Sequence, residues 1–235
     1  MSANPVKAVG VPDDFLALER VVRSRRSVRG FLPDPVPMQT CKSIFSLAQA
    51  APSNCNTQPW LVRVVSGERQ AELRTKLIEA VTSGQAPAPD FQGLLNYPGI
   101  HRDRQVDAAR QLYGAMGIAR DDQKARSKAA LRNFEFFGAP HVALIFVPDW
   151  VQQRELADCG LYAQTLMLAM TAFGVASCPQ AALGYYPAVV RSVLDIDPAT
   201  RLLYGISFGF EDPSVAANAT RVGRVPLDET TVFLD

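Results

Sequence analysis

Two polar segments carry the residues whose types and spacing are suited to chemistry. In the first, RRSVR at 25–29, an extended chain would place Arg25, Ser27 and Arg29 on one side, because side chains alternate along a strand. Arginine forks and a serine hydroxyl match phosphate oxygens, and at strand rise the three residues span roughly 13 Å. The pattern indicates a site for a phosphate-bearing ligand. Its alternative is a solvated basic turn after a helix.

The second segment, PSNCNTQPW at 52–60, is a compact loop crowded with amide and hydroxyl groups. Taken alone, it is typical of a turn whose Asn and Ser side chains hydrogen-bond to the neighbouring backbone. Whether these groups bind a ligand depends on which other residues of the chain lie beside them.

Motifs of several other chemistries are missing from the sequence. It has no G-x-G-x-x-G or G-x-x-x-x-G-K-[ST] loop, no G-x-S-x-G elbow, and two histidines, His101 and His141. The four cysteines form no C-x-x-C pair, so no zinc-type ligand spacing exists and no metal site is expected. Because acid–base and nucleophile candidates are few, a bound redox cofactor is predicted to carry the chemistry.

The composition is that of an ordinary globular protein, with 48% hydrophobic and 20% charged residues and a net charge of +1. Such a chain has no global field to recruit nucleic acid or an anionic membrane. Residues 1–15 lack the apolar core of a signal peptide, and the apolar window 160–176 is interrupted by Gln164 and Thr165. We expect a cytoplasmic protein with reduced thiols that binds neither nucleic acid nor membrane.

The elements that must position the two motifs are helices mixed with a few strands. Asp13 or Asp14 is expected to cap a first helix, and Pro52 ends a second one. Hydrophobic periodicity predicts strands at 60–65, 140–147 and 202–210, and helices at 68–83, 154–174 and 186–196. This order indicates the α+β class and one domain.

The segment 84–131 differs from the rest, since it is rich in Pro and Gly at its start and helical but polar afterwards. This composition is expected of a cover rather than of a core layer. It carries Phe91, Tyr97 and Tyr113, whose rings can stack on a flat substrate. We predict a lid that sets substrate specificity, and the alternative is an ordinary surface excursion.

In combination, RRSVRGF at 25–31 and PSNCNTQPW at 52–60 resemble the signature of the FMN-dependent nitroreductase family. The resemblance continues through DCGLYAQTLMLAMTAFGVASC at 158–178, CPQAAL at 178–183, YGISFGFEDP at 204–213 and RVGRVPLDE at 221–229. Within that family, the sequence is similar to the nitrobenzoate-reductase-like branch. The resemblance implies a single nitroreductase domain over 1–235, with a mixed central sheet flanked by helices and an extended dimer interface.

The resemblance also assigns FMN contacts. The phosphate would be held by the start of the first motif and by the C-terminal segment, and the pyrimidine edge of the ring by Arg29. The 52–58 loop would serve the partner subunit's flavin, with Gln58 fixing the loop, and backbone N–H groups near position 181 would reach N5 and O4. The full set is Arg25, Arg26, Ser27, Arg29, Pro52, Ser53, Asn54, Asn56, Asn133, Ala181, Ala182, Arg221 and Arg224. Asn133 has a helix-end role as its alternative, and Arg221 is a weaker candidate than Arg224.

The implied activity is NAD(P)H-dependent reduction of nitroaromatic compounds in two-electron steps, through nitroso to hydroxylamine or amine, by a ping-pong mechanism in a homodimer. No side chain is expected to be catalytic, because flavin N5 carries the chemistry. Two alternatives stay open: another FMN oxidoreductase of the same fold, acting on quinones, enones or halogenated compounds, and a non-catalytic flavin-binding protein.

Overall fold

The computed structural model describes residues 12–94 and 96–234. These residues contain the helices α1 (Asp13–Ser24), α2 (Met38–Ala48), α3 (Gly67–Thr82), α4 (Gly99–Ala115), α5 (Gln123–Leu131), α6 (Gln153–Ala172) and α7 (Pro187–Leu194). The strands are β1 (Leu61–Ser66), β2 (His141–Pro148), β3 (Ala176–Gln180) and β4 (Thr200–Gly209). None of the helices described is both long and apolar enough to cross a membrane.

The four strands form one sheet in the order β1-β2-β4-β3, and every pair of neighbours is antiparallel. The mixed sheet expected from the sequence is therefore corrected. In the part of the chain described, the parallel component is a single isolated bridge between Ser27 and Ser177. Residues 141–147 of β2 are all buried, as their continuous apolar run predicts for a central strand.

The edge strand β3 is an element that the sequence did not reveal. Pro179 lies inside it and argues against a central strand, because proline cannot donate to a sheet ladder. An edge strand tolerates the residue. The sequence CPQAAL is thus the end of a strand followed by a short 3-10 turn at Ala181–Gly184.

Helices cover the sheet on both faces. On one face α2 and α6 enclose a core in which Tyr162 stacks on Trp60 with ring centroids 4.8 Å apart. On the other face α3 and α7 pack over a core that contains Leu73 and Val190. Each face of the sheet therefore has its own hydrophobic core, and the predicted α+β class is confirmed.

Helix α1 departs from the expected amphipathic packing. It begins after Pro12 without a side-chain cap, so neither Asp13 nor Asp14 has the predicted capping role. None of its residues is buried, and Phe15 and Leu18 are more than half exposed. Its apolar stripe faces away from the core of its own chain.

The start of the 84–131 segment is tied firmly to the body of the protein. The N–H of Ala88 donates to the carbonyl oxygen of Tyr185 at 3.0 Å. Asp90 forms an ion pair with Arg191 at 2.6 Å and accepts a hydrogen bond from the backbone of Leu202 at 2.7 Å. Helices α4 and α5 make up most of the remainder.

Candidate cofactor site

The first motif is extended, and its side chains alternate as the sequence predicts. Arg25, Ser27 and Arg29 all lie close to the buried thiol of Cys178 on β3. Burial raises the pKa of this thiol to about 11, and the charges of Arg29 and Arg25 and a hydrogen bond from Ser27 oppose the rise only in part. Cys178 is therefore a neutral thiol at pH 7. Val28, between these residues, is buried in the core.

A buried asparagine that the sequence did not single out holds this motif in place. The side chain of Asn218 accepts a hydrogen bond from the backbone N–H of Arg29 at 2.7 Å and donates to the carbonyl oxygen of Gly30 at 2.9 Å. A side chain at Gly30 would collide with Val215, since a Cβ there would lie 2.5 Å from it. Glycine thus lets the motif lie directly against the segment that follows β4.

Arg25 is the arginine of the motif with a free guanidinium. Among the residues described, it forms no ion pair and its side chain makes no hydrogen bond. Burial lowers its pKa, and the charge of Arg224 lowers it further. The Arg224 guanidinium donates to the carbonyl oxygens of Val222 and Gly223 at 3.0 and 2.9 Å. Among the residues described, neither guanidinium forms an ion pair, and two cations that repel each other form an arrangement that an anion stabilises.

The Arg25 pocket, a cavity of about 180 Å³, is lined by Arg25 and Ser177 and also by Arg26 and Glu211, which form an ion pair with each other. Ser177 Oγ is buried without a hydrogen-bond partner, as is Thr220 Oγ1 in the C-terminal segment. A buried hydroxyl without a partner is costly. Oxygen atoms of a ligand such as a phosphate ester would satisfy such groups.

Arg26 has a different partner from the one expected. Its guanidinium forms an ion pair with both carboxylate oxygens of Glu211 and donates to the carbonyl oxygen of Asn218 at 3.1 Å. Both groups are mostly buried, so the charge of Arg26 is neutralised inside the protein. Arg26 therefore has a structural role in joining the motif to the segment after β4, and its contact with the phosphate stays a prediction. Arg221, like Arg224, donates to two backbone carbonyl oxygens, those of Asn218 and Thr220, at 2.7 and 2.9 Å.

The Arg29 cavity, about 270 Å³ in volume, brings together residues from three predicted groups. Arg29 from the motif and Asn133 from the end of α5 line it together with Tyr113 from α4. The remaining lining residues are Leu112, Met116, Ala129, Ala130, Arg132, Phe137 and Ala217. No acidic side chain is among the lining residues, and the wall combines apolar side chains with the guanidiniums of Arg29 and Arg132.

The three aromatic residues assigned to substrate contact do not lie together. Tyr113 lines the Arg29 cavity, with the guanidinium of Arg126 4.8 Å from its ring centroid. Phe91 instead packs against the α2–α6 core, and the guanidinium of Arg201 lies 4.0 Å from its ring centroid. Tyr97 is exposed and lines neither cavity. Phe91 therefore anchors its segment on the core, and its contact with a substrate stays a prediction.

Ala181 and Ala182 begin the 3-10 turn that follows β3. The first N–H groups of such a turn have no partner within it. Their contact with N5 and O4 of FMN, which the resemblance implies, stays a prediction. Leu183 fastens the turn by packing over Gly205, where a Cβ would lie 2.5 Å from its side chain.

The 52–58 loop is exposed and conformationally strained. Cys55, Asn56 and Gln58 have φ angles of 49°, 56° and 46°, which non-glycine residues adopt only when other contacts hold them. The Gln58 side chain donates to Asn56, and its backbone N–H donates to Ser53 Oγ at 2.9 Å. The prediction that Gln58 fixes the loop is confirmed. Pro52 and Asn54 are exposed in the same loop.

A buried carboxylate fastens this loop far from the Arg25 pocket. Asp158, on α6, accepts a hydrogen bond from the backbone N–H of Asn54 at 3.1 Å. The Arg25 pocket is lined by Thr171, near the other end of the same helix. Thirteen residues of helix separate the two positions, a distance of about 20 Å. The loop and the Arg25 pocket of one chain are therefore not parts of one site within that chain.

These features define an α+β scaffold with two neighbouring arginines, Arg25 and Arg224, and a cavity lined by Arg29. The sequence matches the Nitroreductase family over residues 22–210. It is 45% identical over 219 residues to nitroreductase NfnB of Mycolicibacterium smegmatis, with 92% of each chain covered. It is 34% identical over 227 residues to a 4-nitrobenzoate reductase of Pseudomonas putida, with 94% of this chain and 96% of that one covered.

The fold also matches a solved structure. The FMN-dependent nitroreductase NfnB from Mycobacterium smegmatis, crystallised in complex with NADPH, aligns with a TM-score of 0.92 at 44% identity, covering 95% of this chain and 100% of that chain. The chain belongs to the nitroreductase family. The resemblance drawn from the motifs at 25–31 and 52–60 is thereby confirmed.

Proposed function

We propose that this protein binds FMN and reduces nitroaromatic compounds with electrons from NAD(P)H. The observation that carries the proposal is the free guanidinium of Arg25 beside Arg224, next to a buried hydroxyl without a partner. This is an anion site on the family's own motif. The names of the relatives, a nitroreductase and a 4-nitrobenzoate reductase, support the same substrate class.

The residues present fit FMN at both of its ends. Arg25 and Arg224 are suited to the phosphate, with Ser177 Oγ as a further partner near Arg25. Arg29 and Asn133, which line one cavity, are suited to the pyrimidine side of the ring. When bound, FMN supplies a centre that accepts two electrons from a nicotinamide and passes them to a substrate.

The side chains around the Arg29 cavity have three tasks in this proposal. The charge of Arg29 stabilises negative charge at the edge of the ring. The apolar walls exclude water, which strengthens that interaction. Tyr113 offers a flat surface against which an aromatic substrate stacks. The chain therefore contributes positioning and electrostatics, and no nucleophile or general base is required.

A homodimer is part of the proposal, because each site needs groups that one chain holds about 20 Å apart. The outward face of α6 carries Leu161, which is 46% exposed, flanked by small residues such as Gly160 that permit close helix packing. Two α6 helices packed antiparallel about a two-fold axis bring the 52–58 loop of one subunit towards the Arg25 pocket of the other. The exposed apolar stripe of α1 supports burial against a second copy.

Within the single domain 1–235, we assign the lid role to the part of 84–131 that contains α4 and α5. Tyr113 on α4 lines the Arg29 cavity, and Ala129 and Ala130 on α5 complete its wall. A cytoplasmic location belongs to the same proposal. It is supported by four cysteines that are all unpaired, as expected in a reducing compartment.

The direct test is to purify the protein and record its visible spectrum, which should be that of a flavoprotein, with FMN released on heating. Replacing Arg25 or Arg224 with alanine removes charge-assisted hydrogen bonds worth about 1.5–3 kcal/mol each. FMN affinity should then fall by about one to two orders of magnitude. The matched control is Arg23→Ala, because Arg23 is paired with Glu19 on the exposed face of α1.

Two outcomes would contradict the proposal. Protein that neither contains FMN nor binds it on reconstitution would exclude the cofactor. Flavin-loaded protein that oxidises no NAD(P)H in the presence of a nitroaromatic compound would instead indicate a non-catalytic flavin-binding protein.

A further inference from the structure

The buried amide of Gln180, at the end of β3, connects the central sheet to the wall of the Arg29 cavity. Gln180 and Ser207 are both buried. Gln180 Nε2 donates to the backbone oxygen of Asn133 at 2.8 Å and to Asn133 Oδ1 at 3.3 Å. On its other side, the Ser207 hydroxyl donates to Gln180 Oε1.

The donors and acceptors in this chain of hydrogen bonds can be assigned in one way. Nε2 faces two acceptors and Oε1 faces a hydroxyl, so one orientation of the Gln180 amide satisfies all three contacts. The same chain then orients Asn133, whose Oδ1 faces Gln180 and whose Nδ2 donates to the carbonyl oxygen of Ala130 at 3.0 Å. The donor and acceptor that Asn133 presents at the cavity are thus set by Ala130, which lines the cavity, and by Gln180 and Ser207, which do not.

We propose that Gln180 is a positioning residue, which holds the amide of Asn133 in the orientation that meets the pyrimidine side of FMN. The inference rests on the proposed function, because it needs the cofactor in the Arg29 cavity. A group whose orientation is already fixed loses less conformational freedom when the ligand binds. Gln180 therefore raises FMN affinity without touching FMN.

A purely structural role is the competing explanation. The carbonyl oxygen of Asn133 also accepts from the N–H of Phe136 at 3.2 Å, at a turn where Phe136 and Phe137 have φ angles of 55° and 56°. Gln180 could simply hold this strained turn. In that case its loss would weaken folding, and its effect on FMN would not depend on the side chain at position 133.

A double-mutant cycle on FMN affinity separates the two roles. FMN is titrated into flavin-free wild type, Gln180→Leu, Asn133→Ala and the double variant, and its fluorescence gives Kd. We expect Gln180→Leu to raise Kd about fivefold, as for one lost hydrogen bond, but less than about twofold when Asn133 is already alanine. An equal effect in both backgrounds would overturn the inference.

The variant Gln180→Glu adds a pH-dependent signature. Protonated, its carboxyl retains a donor towards Asn133, whereas ionised it faces two oxygens with no donor. Burial and those oxygens raise the pKa of such a carboxyl. The ratio of its Kd to that of wild type should rise about fivefold or more from pH 5.5 to 8.5, while the ratio for Gln180→Leu stays constant. A flat ratio for Gln180→Glu counts against the positioning role.

The remaining controls distinguish this inference from the proposed function. If Asn133→Ala binds FMN like wild type while Arg25→Ala does not, the inference fails and the cofactor proposal stands. If wild type binds no FMN, both fail. Thermal unfolding of the flavin-free variants reports their folding. Should Gln180→Leu not fold, Ser207→Ala, which removes the donor to Oε1, takes its place in the cycle with the same expected coupling to Asn133.

Discussion

At the scale of single residues, neighbouring arginines have different roles because they have different partners. Arg25 faces Arg224 and lies beside a cavity, so its charge is available to a ligand. Arg26 is neutralised by Glu211 and joins the motif to the segment after β4. Both residues are arginines. Their roles differ because the fold places the cation of Arg224 near Arg25 and the carboxylate of Glu211 beside Arg26.

Replacing Arg26 with alanine should therefore affect stability more than cofactor binding. The change leaves Glu211 mostly buried without its partner, which is expected to lower the free energy of unfolding by about 1–3 kcal/mol. Urea unfolding of the flavin-free protein measures the effect, and FMN titration of the same variant should change far less than for Arg25→Ala. The exposed pair of Arg23 and Glu19 offers a control, since Arg23→Ala should cost less than about 1 kcal/mol. A tenfold loss of FMN affinity at unchanged stability would instead support the phosphate role of Arg26.

His141 gives the folded state a dependence on pH. Its Nε2 accepts a hydrogen bond from the N–H of Val36 at 2.9 Å, and its ring stacks on Phe208. Burial lowers the pKa of His141, so the folded protein favours the neutral ring. The contribution to stability is present in full above the unfolded pKa of about 6.5 and is lost as the pH falls below it.

The free energy of unfolding should fall by up to about 1.4 kcal/mol per pH unit as the pH decreases below about 6.5. His141→Gln retains an acceptor but does not titrate, so its stability should be less dependent on pH in this range. Denaturant titrations at several pH values provide the measurement, and His101→Gln on exposed α4 is the matched control. Equal slopes for wild type and His141→Gln would show that another group is responsible.

At the scale of elements, the 84–131 segment consists of an anchor and a wall. The anchor, residues 84–92, is tied to α7 and β4 through Asp90 and carries Phe91 on the core. The wall, α4 and α5, encloses the Arg29 cavity. Substrate selection, if it lies in this segment, is therefore expected from α4 and α5.

Tyr113→Leu should change substrate preference while leaving FMN content intact. The lost stacking surface is worth about 1–3 kcal/mol of discrimination, so the ratio of kcat/KM for a bulky and a small nitroaromatic should shift about fivefold or more. Phe91→Leu also replaces an aromatic ring with leucine, but on the anchor. It should lower the free energy of unfolding and leave the kcat/KM ratio unchanged. If Phe91→Leu shifts the ratio and Tyr113→Leu does not, the assignment of wall and anchor is wrong.

At the scale of the whole molecule, apolar surface that the chain leaves uncovered points to a second copy. Helix α6 packs its buried residues on the sheet and still presents Leu161 outward, and α1 contributes no residue to the core of its own chain. Exposed apolar residues grouped on one face of an element are typical of a contact surface for another protein chain.

Leu161→Arg should dissociate the dimer, because it would place two like charges at the symmetric contact of two α6 helices. Sedimentation velocity is expected to show a monomer, with weaker FMN binding, since each site would lose the partner's 52–58 loop. Val106→Arg on α4, another exposed apolar position, is the control and should stay dimeric. A Leu161→Arg protein that remains a fully loaded dimer would place the interface elsewhere.

The sequence by itself determined the local features and, through its motifs, the family. The alternation of Arg25, Ser27 and Arg29 follows from the geometry of an extended chain and needs no tertiary contact. The continuous apolar run of β2 and the apolar spacing of α6 likewise reflect how each element buries one face or both. These patterns repeat over a few residues, so they can be recognised without knowing which residues pack against them.

Only the tertiary structure decided which polar groups meet. Arg26 and Glu211 are 185 positions apart, and Gln180 and Asn133 are 47 apart, so no local pattern encodes either contact. The sequence did not predict strand β3 because it contains Pro179, which an edge strand tolerates. The apolar stripe of α1 has the same spacing in sequence as the stripe of a helix that faces the core. Hydrophobic periodicity fixes which residues share a face, but whether that face meets the core of its own chain or a second subunit depends on the packing of the whole molecule.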